Sequence, residues 1–159
     1  MCQHSGMLTW TEVAALLAPW RNYWLSTLAT DGSPQVSPIW GVLVDETFYF
    51  YTETGTAKYR NVLADPRVAV HLESGDDVVI VRGTVELIGS TAEHPELCEA
   101  YVPKYTQARD RQYLPADVEG DNVLFALHPM RAVVWLLVDY EGSIRRWAAE
   151  PATVSDPSS

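Results

Sequence analysis

Cysteine and histidine are scarce in this sequence. The 159 residues include only Cys2 and Cys98, which form no CxxC motif, so the simplest interpretation is a reduced, cytoplasmic protein. The four histidines show no HxH or HExxH spacing, and we therefore expect no metal site. The sequence also lacks the GxGxxG, P-loop and GxSxG motifs, which argues against the nucleotide sites and the hydrolase nucleophile that those motifs build.

Positive charge is scarce as well. Eleven Lys and Arg residues face twenty-one Asp and Glu residues, and the formal net charge is −10. Nucleic acids and anionic membranes are bound through a basic face, so we expect neither as a main partner. No apolar run approaches the ~20 residues of a membrane-spanning helix, and the N-terminus shows no signal-peptide pattern. A small phosphorylated ligand held by a local cluster of cations is compatible with this charge.

Extended segments dominate the chain, with turn signals between them. An Asp-Gly pair at 31–32 joins two strand-like runs and predicts a hairpin. Pro38 indicates an edge strand or an interruption of the second run, because proline cannot donate to a ladder. Gly83 predicts a bulge in a long strand, and NVLFALHP and RAVVWLLVDY are predicted to be the last two strands. Six or seven mostly antiparallel strands with a few helices predict a mainly β protein, a β-barrel with peripheral helices.

Three segments have helical patterns. Residues 9–18 begin with a capping box formed by Thr9 and Glu12, residues 56–64 have Thr56 near the N-cap, and residues 92–109 are helical in pattern although Pro103 divides or kinks them. We expect a single domain over residues 1–149. The tail at 150–159 is rich in Pro, Ser and Ala and is expected to be disordered.

The stretch TETGTAKYRN, at residues 52–61, is unusual in so acidic a chain. It lies where a strand gives way to a helix, whose N-terminal amides and partial positive charge suit an anion. Gly55 allows close backbone approach, Thr54 and Thr56 offer hydroxyl groups, and Lys58 in the first turn can reach a phosphate. A capped surface helix with ordinary solvated charges is the alternative interpretation.

Several segments in order are similar to one known family. The segments LATDGSPQVSPIW, AKYRN, DPRVAVHLE and VRGTVEL together resemble the pyridoxamine 5′-phosphate oxidase-like split barrels that bind flavin. The resemblance covers residues 20–87 well and extends more weakly to Trp147. It implies a homodimer with a flavin or deazaflavin in a cleft between the subunits, and a small-molecule substrate.

The resemblance also implies where the cofactor lies. The backbone of the strand at 36–40 would follow the tricyclic ring, and the phosphate would lie beside Thr52, Thr56 and Lys58. Arg146 and Trp147 resemble the Arg-Trp ending of the deazaflavin branch and would either close over the cofactor or cap the barrel. The cofactor-binding residues implied in this way are Val36, Ser37, Pro38, Ile39, Trp40, Thr52, Thr56, Ala57, Lys58, Asn61, Arg146 and Trp147, and no catalytic residue is identified.

The sequence departs from the family pattern in two places. Many relatives have an arginine immediately before the lysine, where this chain has Ala57, so one phosphate-binding cation is missing unless Arg60, Arg21 or a partner's arginine replaces it. In the vitamin-processing oxidases, a Trp and an Arg ten residues apart serve the active site. Trp135 and Arg145 have this spacing here, although the sequence around them does not match, and a core Trp with a surface Arg is the alternative.

Three functions follow from the resemblance. The leading hypothesis is an oxidoreductase that uses coenzyme F420 for hydride transfer to a small organic substrate. An FMN-dependent oxidase or flavin reductase of the same fold is the second. The third is a carrier or sensor that binds flavin or haem without turnover, because a fold does not determine its function.

Overall fold

A computed structural model of the protein describes residues 6–151. Cys2 and most of the predicted C-terminal tail lie outside this range, so the prediction of a disordered tail is not tested. The described residues form one sheet, whose strands are Tyr23–Leu28 (β1), Pro34–Ile39 (β2), Gly41–Val44 (β3), Thr47–Glu53 (β4), Arg67–Leu72 (β5), Asp77–Ser90 (β6), Asn122–Leu136 (β7) and Arg145–Ala148 (β8). The α-helices are Trp10–Leu17 (α1), Ala57–Ala64 (α2), Pro95–Glu99 (α3) and Tyr140–Ser143 (α4).

The predicted fold class is confirmed, with eight strands within residues 6–151. The strand order is β2-β1-β5-β6-β7-β4-β3, every neighbouring pair is antiparallel, and β8 pairs with β7. β2 and β3 lie at opposite edges of this sheet, yet only Trp40 separates them in the chain. The sheet must therefore curl until its two edges meet at this residue, which makes a barrel with an open seam.

Local sequence signals account for most of these elements. Thr9 and Glu12 form the predicted capping box of α1, Asp31 and Gly32 lie in the turn of the β1–β2 hairpin, and Thr56 is the N-cap of α2. Among the described strands, β2 pairs only with β1, which agrees with the edge position that Pro38 indicates. No helix within residues 6–151 has the length and apolar character needed to span a bilayer.

Two predicted boundaries are wrong. The last two predicted strands are one continuous strand, β7. The irregularity of β7 near Pro129 lies opposite a bulge at Gly83 of β6, and the pairing of the two strands continues on both sides of it. A Cβ at Gly83 would lie 2.1 Å from the carbonyl oxygen of His128, so this close approach requires glycine. The predicted helix at 92–109 is helical mainly at Pro95–Glu99, and the chain beyond it turns irregularly past Pro103 until a 3-10 segment at Ala108–Tyr113.

The interior of the barrel is apolar. Alternate residues of β1 and β5 face inward, and Tyr23, Leu25 and Val70 are fully buried. A second cluster lies on the opposite face of β3 and β4, where Tyr101 and Tyr105 are buried against the sheet. The segment at 100–118 therefore covers this part of the barrel from outside.

An ion pair fixes the covering segment to the start of β1. Arg21 and Asp110 lie 89 positions apart and form two hydrogen bonds, one of 2.6 Å from Nη1 to Oδ2. The Asp110 side chain is 1% exposed, and its hydrogen bonds with Arg21 hold the pKa of this carboxyl below its usual value. Arg21 also lies 5.2 Å from the ring centre of Trp40, so the ion pair is packed against the seam.

Side chains satisfy the backbone groups of Gly41 at the seam. The Gly41 N–H donates to the hydroxyl oxygen of Tyr105 at 2.9 Å, and the Gly41 carbonyl accepts from Nζ of Lys104 at 2.7 Å. Nζ of Lys104 also donates to the hydroxyl of Tyr23 at 2.6 Å. Partial burial lowers the pKa of Lys104 to about 8. Lys104 and Tyr105 thus supply the hydrogen bonds that a neighbouring strand would otherwise form with the backbone of Gly41.

Gly41 has no room for a side chain. A Cβ there would lie 2.2 Å from the tip of the fully buried Phe48 ring. We expect Gly41→Ala to lower the free energy of unfolding by about 1–3 kcal/mol, the usual cost of overpacking a core. Urea denaturation measures this, with Gly75→Ala as the control because nothing lies within 4 Å of a Cβ at Gly75. Equal stability of the two variants would contradict the close packing at the seam.

The lowered pKa of Lys104 predicts a pH-dependent stability. Between about pH 8 and the ordinary lysine pKa of 10.5, the unfolded chain binds more protons at this residue than the folded chain. The free energy of unfolding should therefore rise with pH in this window relative to a Lys104→Met variant, in which the titrating group is absent. Urea denaturation of both proteins at pH 7.5 and pH 9.5 measures the difference, and parallel pH profiles would show that Lys104 keeps its ordinary pKa.

Candidate functional site

Hydroxyl groups organise the turn between β4 and α2. The hydroxyl of Thr56 donates to the carbonyl of Glu53 at 2.8 Å and accepts from the amide of Tyr59 at 3.3 Å. The hydroxyl of Thr52 lies 3.0 Å from that of Thr56, and it must be the donor because the hydrogen of Thr56 is already used. Both threonine hydrogens are therefore engaged within the turn. The first amides of α2, those of Ala57 and Lys58, remain available to a ligand.

Lys58 supplies the positive charge of this turn. It is half-buried, and burial lowers the pKa of its ammonium group, with the charge of Glu53 acting in the opposite direction. Within residues 6–151 its ammonium group forms no salt bridge with any carboxylate. An anion at the start of α2 would therefore meet a cation that no salt bridge within the described residues engages.

The two arginines of this chain that could replace the missing cation are already engaged. Nη1 of Arg60 donates to the carbonyl of Gly55 at 3.1 Å, which holds the turn from its exposed side. Arg21 is bonded to Asp110. Lys58 is consequently the cation that this chain presents at the start of α2.

Two clefts meet at this point. One has a volume of about 480 Å³ and runs between the edge strand β2 and the end of β4, with Tyr113 of the covering segment at its side. The other has a volume of about 360 Å³ and is lined by β1, β2 and the first residues of α2. Thr56 and Lys58 line both clefts, which therefore form a groove around the start of the helix. The predicted site residues that the structure brings to this groove are Val36, Ser37, Pro38, Ile39, Trp40, Thr52, Thr56, Ala57 and Lys58.

The wall formed by β2 is open to a ligand. Within residues 6–151, one side of this strand has no neighbouring strand, and Val36 is 62% exposed although it is apolar. An unpaired strand edge presents backbone N–H and C=O groups that can bind the polar edge of a planar molecule. At the end of β2, Trp40 is held rigidly by stacking on Tyr105, with ring centres 4.1 Å apart.

Asn61 is placed differently from the prediction of a direct cofactor contact. Its side chain is 6% exposed, and Nδ2 donates to Oγ1 of Thr27 at 3.1 Å and to Oε1 of Gln35 at 2.5 Å. It lines neither cleft. Asn61 ties α2 to β1 and β2, and so it fixes the helix start relative to the edge strand.

Arg146 and Trp147 line another cavity, which lies on β6, β7 and β8. A contribution of these two residues to a ligand in the groove would have to come from a second copy of the chain. Trp135 borders this cavity too, and together with Arg145 it also lines a separate groove beside α1, so these two residues share a groove that lies apart from the start of α2.

Several residues of the groove carry no signal in the sequence. Tyr51 donates from its hydroxyl to the carbonyl of Tyr113, and both tyrosines line the larger cleft beside Asn122. The ring of Tyr113 lies edge-on to Trp40, with centres 6.3 Å apart. Tyr113 and Asn122 come from segments distant in sequence from TETGTAKYRN, and no motif marks them.

Comparison with known proteins identifies related sequences and folds. Residues 9–136 match the profile of the pyridoxamine 5′-phosphate oxidase family, whereas no curated protein matches the chain significantly. A solved F420 reductase is 30% identical over 74% of this chain and 93% of its own, with a TM-score of 0.57. A haem-binding protein from Mycobacterium smegmatis is 20% identical, with a TM-score of 0.63 and coverage of 90% of this chain and 59% of that protein.

A Clostridium acetobutylicum protein related to general stress protein 26 is similar in the same way. Its sequence is 12% identical to this chain, and the structures superpose with a TM-score of 0.64. The alignment covers 87% of this chain and 93% of the Clostridium protein. At such low identity, this protein and the haem-binding protein show a common fold alone.

Proposed function

The chain belongs to the pyridoxamine 5′-phosphate oxidase family, and we propose that it is an oxidoreductase that binds coenzyme F420 in the groove at the start of α2. The family includes oxidoreductases that bind FMN or related flavins. The observation that carries the proposal is the pairing of Lys58, a cation without a carboxylate partner in the described chain, with an exposed strand edge at Val36–Ile39. A phosphate and a planar polar ring need these two features side by side.

The residues of the groove fit such a cofactor group by group. The amides of Ala57 and Lys58 and the ammonium group of Lys58 would hold the phosphate. The backbone of β2 would bind the polar edge of the ring, and Trp40, fixed by Tyr105, would bound it at the seam. When bound, a reduced deazaflavin would supply a hydride to a small organic substrate.

The single cation favours the deazaflavin over FMN. The phosphate of FMN is a monoester that carries about −1.5 to −2 charges at neutral pH. Lys58 alone neutralises only part of that charge, which argues against tight binding of FMN. The similarity to an F420 reductase at 30% identity supports the same choice.

We propose further that the chain is a homodimer with the cofactor at the subunit interface. The family is typically dimeric, and Arg146 and Trp147 could complete the groove of a second copy but not of their own. Light scattering at micromolar concentration should give twice the mass of one chain. A monomer would remove both residues from the cofactor site.

Cofactor titration tests the proposed function directly. The purified protein is titrated separately with F420 and with FMN while its tryptophan fluorescence is followed. F420 should bind more tightly, and reduced F420 should then be oxidised in the presence of suitable small-molecule acceptors. Tighter FMN binding would assign the protein to the flavin branch, and binding without turnover of any acceptor would indicate a carrier or sensor.

Lys58→Ala should weaken F420 binding by about 1.5–3 kcal/mol, the value of a charge-assisted hydrogen bond. Arg60→Ala removes a cation two residues away whose side chain is bonded to Gly55 on the exposed side of the turn, so it is the matched control and should change the affinity little. Equal dissociation constants for Lys58→Ala and the unsubstituted protein would exclude Lys58 from the cofactor site.

A further inference from the structure

A charged pair lies behind the end of the groove at which Trp40 stands. Arg21, just before β1, donates hydrogen bonds to both carboxylate oxygens of Asp110, and the backbone amide of Gln107 donates to one of them at 3.0 Å. The Asp110 side chain is buried, and three hydrogen bonds reach its two oxygens. Asp110 is therefore fixed in one orientation on the covering segment.

This pair contributes more geometry than stability. Taking a carboxylate and a guanidinium group out of water costs about as much as their attraction returns, and a buried ion pair can often be replaced by apolar residues without loss of stability. Arg21 remains 27% exposed, so water weakens the attraction further. What the pair does supply is a fixed distance and direction between residues 89 positions apart.

Asp110 directs Tyr113 into the groove. Both residues belong to the 3-10 segment Ala108–Tyr113, which has three residues per turn, so side chains three positions apart lie on the same side. The ring of Tyr113 lines the larger cleft and lies edge-on to Trp40, while its carbonyl accepts from the hydroxyl of Tyr51. The anchoring of Asp110 therefore determines where the ring of Tyr113 stands.

Arg21 acts on the other aromatic residue of this wall. Its guanidinium carbon lies 5.2 Å from the ring centre of Trp40 and 5.4 Å from that of Tyr105. These two rings are stacked with an angle of 13° between their planes, and a guanidinium group at such distances is attracted by both. Arg21 thus holds the stacked rings from one side, and Trp40 lines the larger cleft.

We propose that Arg21 and Asp110 are positioning residues for the groove, which hold Trp40 and Tyr113 where these two rings border the ligand. Arg21 and Asp110 line neither cleft, so they act through the two aromatic residues. The inference rests on the proposed function, because the ligand in question is F420. A groove whose wall is already in place loses less conformational freedom when the ligand binds, and it therefore binds more tightly.

The position of Trp40 can be measured without any ligand. Protein labelled with 5-fluorotryptophan gives fluorine NMR signals from its six tryptophans, and the signal that is lost in Trp40→Phe belongs to Trp40. Asp110→Asn keeps the shape of the side chain and removes the charge that Arg21 binds. The Trp40 signal should shift or broaden in this variant. The other tryptophan signals are the internal reference, because a general loss of structure would move them all.

Affinity for F420 tests the consequence for the groove. Arg21→Lys keeps the charge but loses the planar group that donates two parallel hydrogen bonds and packs on the rings, so the dissociation constant should rise about tenfold. Arg67→Lys is the matched control, because Arg67 forms an exposed pair with Asp65 and lines neither cleft. Its dissociation constant should equal that of the unsubstituted protein.

Two results would overturn the proposal. One is a Trp40 signal that stays in place in Asp110→Asn, or in Arg21→Lys should Asp110→Asn not fold. The other is an unchanged F420 dissociation constant in Arg21→Lys, because the pair would then serve the fold alone. If the unsubstituted protein binds neither F420 nor FMN, the proposed function fails, and the fluorine spectra still decide whether the pair positions Trp40.

Discussion

The passage of the chain from one edge of the sheet to the other through Trp40 is the constraint on which the rest of the structure depends. An edge strand normally ends in a loop, but here β2 continues after one residue as β3 at the opposite edge. The backbone of Gly41 at this junction receives its hydrogen bonds from Tyr105 and Lys104. These two residues are about sixty positions away, so the barrel is complete only after the segment at 100–118 has packed on it.

The same junction creates the groove. Because no strand of the described part of the chain lies beyond β2, its outer backbone groups are available to a ligand. Because Trp40 is stacked on Tyr105, the end of this wall is rigid. The buried Asn61 links the helix start to the same wall through Gln35. The helix that carries Lys58 and the strand that forms the wall therefore keep a fixed relative position.

Local sequence signals predicted the parts of the structure that depend on neighbouring residues. The capping box at Thr9, the hairpin turn at Asp31-Gly32 and the N-cap at Thr56 each need partners within four positions, and all three are present. The ion pair between Arg21 and Asp110 joins residues 89 positions apart, and no sequence pattern around either residue predicts that the other lies beside it. Tyr113 reaches the groove through the same long-range packing, which is why the motif at 52–61 was recognisable and its aromatic neighbour was not.

The cavity lined by Arg82, Arg131 and Arg146 has a kinetic consequence, because it concentrates positive charge in an acidic chain. The chain as a whole has a formal charge of −10, while three of its arginines are concentrated on a small area of β6, β7 and β8. Such a separation gives the molecule a substantial electric dipole, and its field repels an approaching anion from most directions while it orients the anion toward that area. Encounter with this face would therefore be faster than random collision at low ionic strength, and the advantage would disappear as salt screens the field over distances of about 10 Å at 0.1 M.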